Sequence, residues 1–253
     1  MTEAALPKIV TVTKIIDETP TVKTFVFDEI FNIRAGQFCM VWIPGVDEIP
    51  MAFSAANSIT VMKAGDATSA LFQLKEGDKI GIRGPFGNGF QPKGKVLAIA
   101  GGIGITPLFT LAASGEVDTF ILGARTKAEL MFTDDLKNVT DLKIATDDGT
   151  EGYHGFVTGI MDTLDLESYD TICVCGPEMM MKGILDRLKA KGIENRGLFS
   201  MHRYMKCAIG VCGSCCMDPD GYRVCKDGPV FSGEILARGE LGQHMRGASG
   251  RRQ

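Results

Sequence analysis

Short β-rich runs dominate the first third of the chain. IVTVTKII, TVKTFVF, QFCMVWI, SITVMK and DKIGIRG follow one another between Ile9 and about Phe90, separated by Gly, Pro, Asn or Asp, which predicts a small antiparallel β-barrel over residues 1–92. From Lys95 the texture changes. KVLAIA, ITPLFTLAAS, DTFILGA, a helix near Lys127 to Lys137, LKIATD and DTICVC alternate strand with turn and helix, the signature of a parallel α/β domain over residues 93–195. Its last helix sets Met180, Met181, Ile184, Leu185 and Leu188 on one face, with Gly192 as the stop. Residues 196–253 are rich in glycine and cysteine with little periodicity, so this segment buries little apolar surface unaided and needs something else to hold it. The fold class expected is α+β and multidomain, with no internal repeat.

Val96–Gly115 carries no charge over 20 residues, long enough to span a bilayer. Gly101, Gly102, Gly104 and Pro107 interrupt it, and we read it as buried strand, turn and helix start. With 45% apolar and 23% charged residues the chain folds. A net charge of -4 leaves no basic footprint for nucleic acid, and the tail Arg246 to Arg252 is too short to change that. The opening residues MTEAALPKIVTVTK lack the pattern of a signal peptide, so the expected location is cytoplasmic.

In that compartment eight cysteines suggest ligands or thiols rather than disulfides. Cys39, Cys173 and Cys175 sit in apolar runs. Cys207, Cys212, Cys215, Cys216 and Cys225 crowd into 19 residues. Cys207-x4-Cys212-x2-Cys215 with Cys225 ten residues on is the plant-type [2Fe-2S] spacing, in which a tight loop wraps the cluster and a distant thiolate closes it. Gly210 and Gly213 allow positive φ, turning amides toward the sulfurs. Cys216 is left as a spare thiol. Zinc folds usually pair two C-x2-C elements and only one is present, yet zinc stays open at this point.

A second signal is Gly101-Gly102-Ile103-Gly104-Ile105-Thr106-Pro107 after the strand VLAIA. The glycines permit close approach of a pyrophosphate, Thr106 can cap, and Pro107 suits a first helical turn. Cys175-Gly176-Pro177 ends the last strand on the same carboxyl edge, which together point to a dinucleotide site.

Gly-Gly-x-Gly-x-x-Pro, a Cys-Gly-Pro turn and a preceding barrel resemble the ferredoxin reductase superfamily of flavoproteins. With Met205-Lys206-Cys207 through Cys225-Lys226-Asp227-Gly228-Pro229-Val230-Phe231, the whole chain resembles the electron-transfer subunits of dihydroorotate dehydrogenase B. The resemblance implies FAD in the barrel, NAD in the α/β domain and the [2Fe-2S] cluster at Cys207, Cys212, Cys215 and Cys225. It also implies an FMN-containing catalytic partner, two of each subunit in a heterotetramer. The family's flavin motif falls on Met51-Ala52-Phe53-Ser54, with Phe53 packing against the isoalloxazine and Ser54 near its N5. Methionine stands where the family's arginine pairs with the FAD diphosphate, a contact of roughly 1.5–3 kcal/mol. Val61 and Lys63 on SITVMK and the helix start at Ala67, Thr68 and Ser69 complete the expected flavin set. Gly84–Phe90 matches a barrel-closing turn, read equally as a domain junction.

Arg125 and Lys127 end the second α/β strand where an acid would hold a ribose 2′-hydroxyl, so the residues permit NADP while the family implies NAD. Asp147-Asp148-Gly149-Thr150 is read evenly as nicotinamide-facing or as a polar turn. His154, His202 and His244 form no spaced pair, and Met179–Met181 suit a buried helix face. No catalytic acid or base stands out, in keeping with flavin exchanging a hydride with nicotinamide and single electrons with a cluster. Dihydroorotate oxidation then needs a TIM-barrel partner of about 250 residues. Two alternatives remain: a reductase subunit of a hydrogenase or ferredoxin:NADP reductase complex, and a non-enzymatic zinc-stabilised binding module.

Overall fold

The computed structural model describes residues 6–243; His244 and the basic tail lie outside them. Six strands close the barrel: β1 (Lys8–Thr19), β2 (Val22–Phe27), β3 (Phe38–Ile43), β4 (Asp47–Ala55), β5 (Ser58–Met62) and β6 (Lys79–Phe86). They run antiparallel in the order β1-β2-β5-β4-β3-β6. Val12, Phe25, Phe53, Ile59 and Ile80 fill the interior, with Leu71 inserted from α1 (Asp66–Leu71). Strand β4 has no clean alternation in the sequence. DEIPMAFSA carries two acids and a proline and is half-buried over much of its length.

The second sheet is built from β7 (Val96–Gly101), β8 (Thr119–Ala124), β9 (Asp141–Thr146), β10 (Tyr153–His154), β11 (Thr171–Cys175) and β12 (Gly197–Ser200). After a hairpin of β13 (Cys216–Met217) and β14 (Tyr222–Arg223) it is completed by β15 (Val230–Ser232). The order is β10-β9-β8-β7-β11-β12-β15, parallel except between β12 and β15. Helices α2 (Ile105–Ala113), α3 (Thr133–Lys137), α4 (Val157–Met161) and α5 (Glu178–Ala190) connect the strands, followed by α6 (Val224–Asp227) and α7 (Gly233–Leu236). Every residue of β7 and β8 is buried, as a parallel sheet covered on both faces requires.

The uncharged run from Val96 resolves into β7, a 3-10 turn and α2. No helix among the described residues is long and apolar enough to cross a membrane. Helix α5 buries Met181, Ile184, Leu185 and Leu188 as its spacing predicts, but Met180 is only half-buried and Met179 is exposed, and Gly192 follows the helix at φ +68. The single helix expected near Lys127–Lys137 is instead a 3-10 turn, Lys127–Glu129, and α3. The break is Phe132, which takes φ +57 and stacks its ring on Phe109 at 4.4 Å.

Residues 196–243 do not stand alone. They give the sheet β12 and β15, and Met205, Ala208, Cys215 and Cys225 share one core with Val174 of β11 and Phe86 of the barrel.

Candidate functional site

The chain enters the second sheet at β7, builds β8, β9 and β10 to one side, then crosses back to place β11 on the other. The carboxyl ends of β7 and β11 are therefore the topological switch point, where open α/β sheets take their ligands. The two expected motifs meet there, Cys175 lying opposite Ala100 in the register. Glycine is demanded by proximity: a Cβ on Gly104 would meet the Cys175 carbonyl oxygen at 2.5 Å, and one on Gly176 the Gly101 nitrogen at 3.0 Å. Gly102 holds φ +53 with open space beside its Cα, leaving room for a ligand backbone. Pro107 lies in the first turn of α2, which has no side-chain cap, and Thr106 Oγ1 is buried there without a hydrogen-bond partner. Uncapped amides and an unspent hydroxyl fit an anionic dinucleotide. Cys175 itself is inert, since burial pushes its thiol up to about 12.

Helix α2 also packs on the barrel, Thr110 donating to the Phe53 carbonyl at 3.2 Å. Strand β4 thereby reaches the switch point. Phe53 is 1% exposed, inside the barrel against Phe31. Ser54 is buried and hydrogen-bonded to Ser58 at 2.9 Å, Met51 packs against the barrel core, and Val61 is fully buried. Ala52 is half-buried and lies opposite Phe38. Ala67, Thr68 and Ser69 do open a helix, α1, yet the Thr68 hydroxyl already accepts the Ala64 and Gly65 amides at 2.8 and 2.9 Å. Lys63 lies over the Phe72 ring together with Lys23, a second lysine that no motif announced.

Cys207, Cys212 and Cys215 lie on the loop between β12 and β13, and Cys225 on α6. Gly210 and Gly213 take φ +78 and +72, and the amides turn inward as anticipated. Val211 and Cys212 donate to Cys207 Sγ at 3.4 and 3.5 Å, and the Cys225 amide donates to Cys215 Sγ at 3.4 Å. Partial burial raises the Cys207 thiol, but the amides of Cys212, Ile209 and Val211 outweigh it and lower it to about 6. Cys215 is lowered to about 7 because the Cys225 thiol donates to it, and Cys225 is raised in turn. Two sulfurs drawn toward the thiolate, Cys207 and Cys215, among amide donors suit an iron-sulfur group. Among the described residues no three Cys, His, Asp or Glu side chains form a single-ion cage. None of the eight cysteines forms a disulfide.

Polar side chains clamp this loop to its neighbours. Arg83 of β6 holds Glu48 through two nitrogens at 2.7 and 2.8 Å and donates its third to the Cys207 carbonyl at 3.1 Å. The Gly84–Phe90 turn is the junction: Asn88 binds the Asp227 and Val230 carbonyls and the Val230 amide. Arg203, 1% exposed, joins Glu178 behind the Cys-Gly-Pro turn to Glu240 near the end of the described chain. Sequence motifs missed Arg83, Glu48 and Arg203 because each is defined by a partner far away in the chain.

Beyond the β8 end, Arg125 pairs with Glu129 at 2.9 Å and Lys127 with Glu151 at 2.8 Å. The acids absent from the strand end are thus supplied by the following 3-10 turn and the loop before β10. Asp147–Thr150 is a polar turn, the Thr150 hydroxyl and amide holding the Asp148 carboxyl low. His154 lies on β10 beside Gly149, and His202 is exposed just beyond β12.

Residues 202–237 match the family model of the iron-sulfur cluster binding domain of dihydroorotate dehydrogenase B. A Methanocella arvoryzae protein named "Probable dihydroorotate dehydrogenase B (NAD(+)), electron transfer subunit" is 51% identical, with 98% of each chain covered. A Methanocaldococcus jannaschii protein of the same name is 49% identical over 97% of this chain and 98% of its own. Among solved structures, that of an NADH-dependent reduced ferredoxin-NADP oxidoreductase superposes with a TM-score of 0.82 at 28% identity, covering 92% of this chain and 90% of its own. With identity at this level over nearly the whole chain, the chain belongs to the family of dihydroorotate dehydrogenase B electron transfer subunits.

Proposed function

We propose that this chain carries electrons from the FMN of a dihydroorotate-oxidising partner, through a [2Fe-2S] cluster and FAD, to NAD+ in pyrimidine biosynthesis. The observation that carries the reading is convergence: the cysteine loop hydrogen-bonds to barrel strand β6 through Arg83, and the glycine-rich helix α2 to barrel strand β4 through Thr110. When bound, flavin supplies both two-electron exchange with nicotinamide and one-electron exchange with the cluster.

The chain's own residues bind and orient. Cys207, Cys212, Cys215 and Cys225 would hold the two irons. Gly101, Gly102, Gly104, Thr106 and Pro107 with Cys175, Gly176 and Pro177 would take NAD. Strand β4 from Met51 to Ser54, with Lys63 and Lys23 for the diphosphate, would border FAD. Cys212, Ile209 and Val211 are exposed on the cysteine loop, an apolar rim suited to a partner in a cytoplasmic assembly of two of each subunit.

The test is the protein purified anaerobically with its partner. Flavin bands, iron and acid-labile sulfide are expected. Cys212→Ser should lose the cluster and electron delivery from dihydroorotate while NADH-to-dye reduction persists. Dihydroorotate oxidation by this chain alone, or flavin without iron and sulfide, would overturn the assignment.

A further inference from the structure

The geometry points to Arg83 and Glu48 as a charge pair on the barrel that sets the reduction potential of the cluster, Arg83 acting as a positioning residue through the backbone of Cys207. This rests on the reading that Cys207 ligates the cluster.

Arg83 projects from β6 with its side chain 11% exposed and its guanidinium 5.2 Å from the Phe86 ring centroid. All three guanidinium nitrogens are used. Nε and Nη2 face the two Glu48 oxygens at 2.8 and 2.7 Å, and Nη1 reaches the Cys207 carbonyl at 3.1 Å across 124 residues of sequence. The planar fork fixes the order of charges: the ligand residue, then the cation, then the carboxylate. Glu48 belongs to β4, the strand of the flavin motif, and lies opposite Trp42 in the β3 register. Adding an electron to an iron-sulfur group adds negative charge, which the nearer guanidinium stabilises and the farther carboxylate opposes. Hydrogen bonds and charge around the sulfurs are recognised levers on such potentials. Low exposure of Arg83 keeps the interaction from being screened away.

A merely structural ion pair and a potential-setting one predict different things. Breaking the pair from either side removes the same bidentate contact, so stability should fall in both Arg83→Gln and Glu48→Gln. The potentials should part company. In an anaerobic redox titration of the purified complex followed by electron paramagnetic resonance, Arg83→Gln should lower the cluster midpoint. The expected size is about tenfold in the reduction equilibrium, ~59 mV for one electron. Glu48→Gln should raise the midpoint by a smaller amount, and Arg83→Lys, which keeps the charge, should stay near the parent. Midpoints that move in the same direction in Arg83→Gln and Glu48→Gln, or in neither, overturn the proposal. Iron and sulfide measured on each sample keep the two levels apart: a parent protein without a cluster refutes the cluster reading itself, whereas a loaded set with unsplit midpoints refutes only the role of the pair.

Discussion

Asn88 is the most exacting test of how the cysteine segment is held. Its side-chain amide donates to the Asp227 carbonyl at 3.0 Å and the Val230 carbonyl at 3.1 Å, while its oxygen accepts from the Val230 amide at 3.0 Å. Asn88→Ala deletes all three and leaves two carbonyls and one amide at a half-buried junction. A net hydrogen bond contributes roughly 0.5–1.5 kcal/mol and an unsatisfied buried group costs about 1–3 kcal/mol. The backbone bond from the Asn88 amide to the Gly228 carbonyl at 2.7 Å survives and limits the damage, so local stability should fall by about 2–4 kcal/mol. Hydrogen exchange read by mass spectrometry should accelerate roughly 30- to 1,000-fold in residues 224–232, where opening is local. Peptides from β1 and β2 should be unchanged. Asn88→Asp should be at least as damaging, because it turns a carboxylate toward two carbonyl oxygens. Unchanged exchange at 224–232, acceleration spread evenly over the barrel, or a benign Asn88→Asp would each refute the clamp.

Arg203→Met leaves the buried Glu240 and the partly buried Glu178 without their cation and should cost about 3 kcal/mol in thermal or denaturant unfolding; adding Glu178→Gln and Glu240→Gln should recover much of it. Glu129→Gln with Glu151→Gln frees Arg125 and Lys127 to meet a 2′-phosphate, so the ratio of kcat/KM for NADH over NADPH should fall by about tenfold, close to 1.4 kcal/mol. The Arg187 fork holds the Asp162 carboxyl below its ordinary range. The stability this contributes is present above the unfolded value of about 3.9 and is lost as pH falls through the lower folded value. The advantage of the parent over Asp162→Asn should therefore be steady at neutral pH, below about 1 kcal/mol for so exposed a pair, and vanish in acid unfolding titrations.

Much of the fold was legible because its signals are local. The buried runs of β7, β8 and β11 and the glycine turns between strand and helix each declare themselves within a few residues, and the cysteine spacing is self-contained for the same reason. Strand β4 was hidden because its burial comes from α2 and from β3 and β5, not from an alternation of its own. The break in the helix near Lys127 was hidden because Phe132 accepts an unfavourable φ for the sake of stacking on Phe109, a contact no window of sequence contains. In the flavin motif, Phe53 is buried in the barrel and Met51 is half-buried against its core, where an aromatic and a thioether gain from burial.

The polar clamps lay furthest from view, and they decide how the cysteine segment is placed. A loop with little apolar content of its own can be fixed by sharing a neighbour's core or by exporting its backbone groups to side chains elsewhere, and this segment does both. Cys215 and Cys225 sit in the core shared with the second sheet, while the Cys207, Asp227 and Val230 carbonyls are met by Arg83 and Asn88 from the barrel. Apolar sharing sets how firmly the segment stays, but it tolerates sliding; directional bonds set where the sulfurs stand relative to the barrel. Electron transfer between two bound groups depends on that separation. Two polar side chains on and just beyond β6 therefore give the link between the cysteine segment and the barrel its direction.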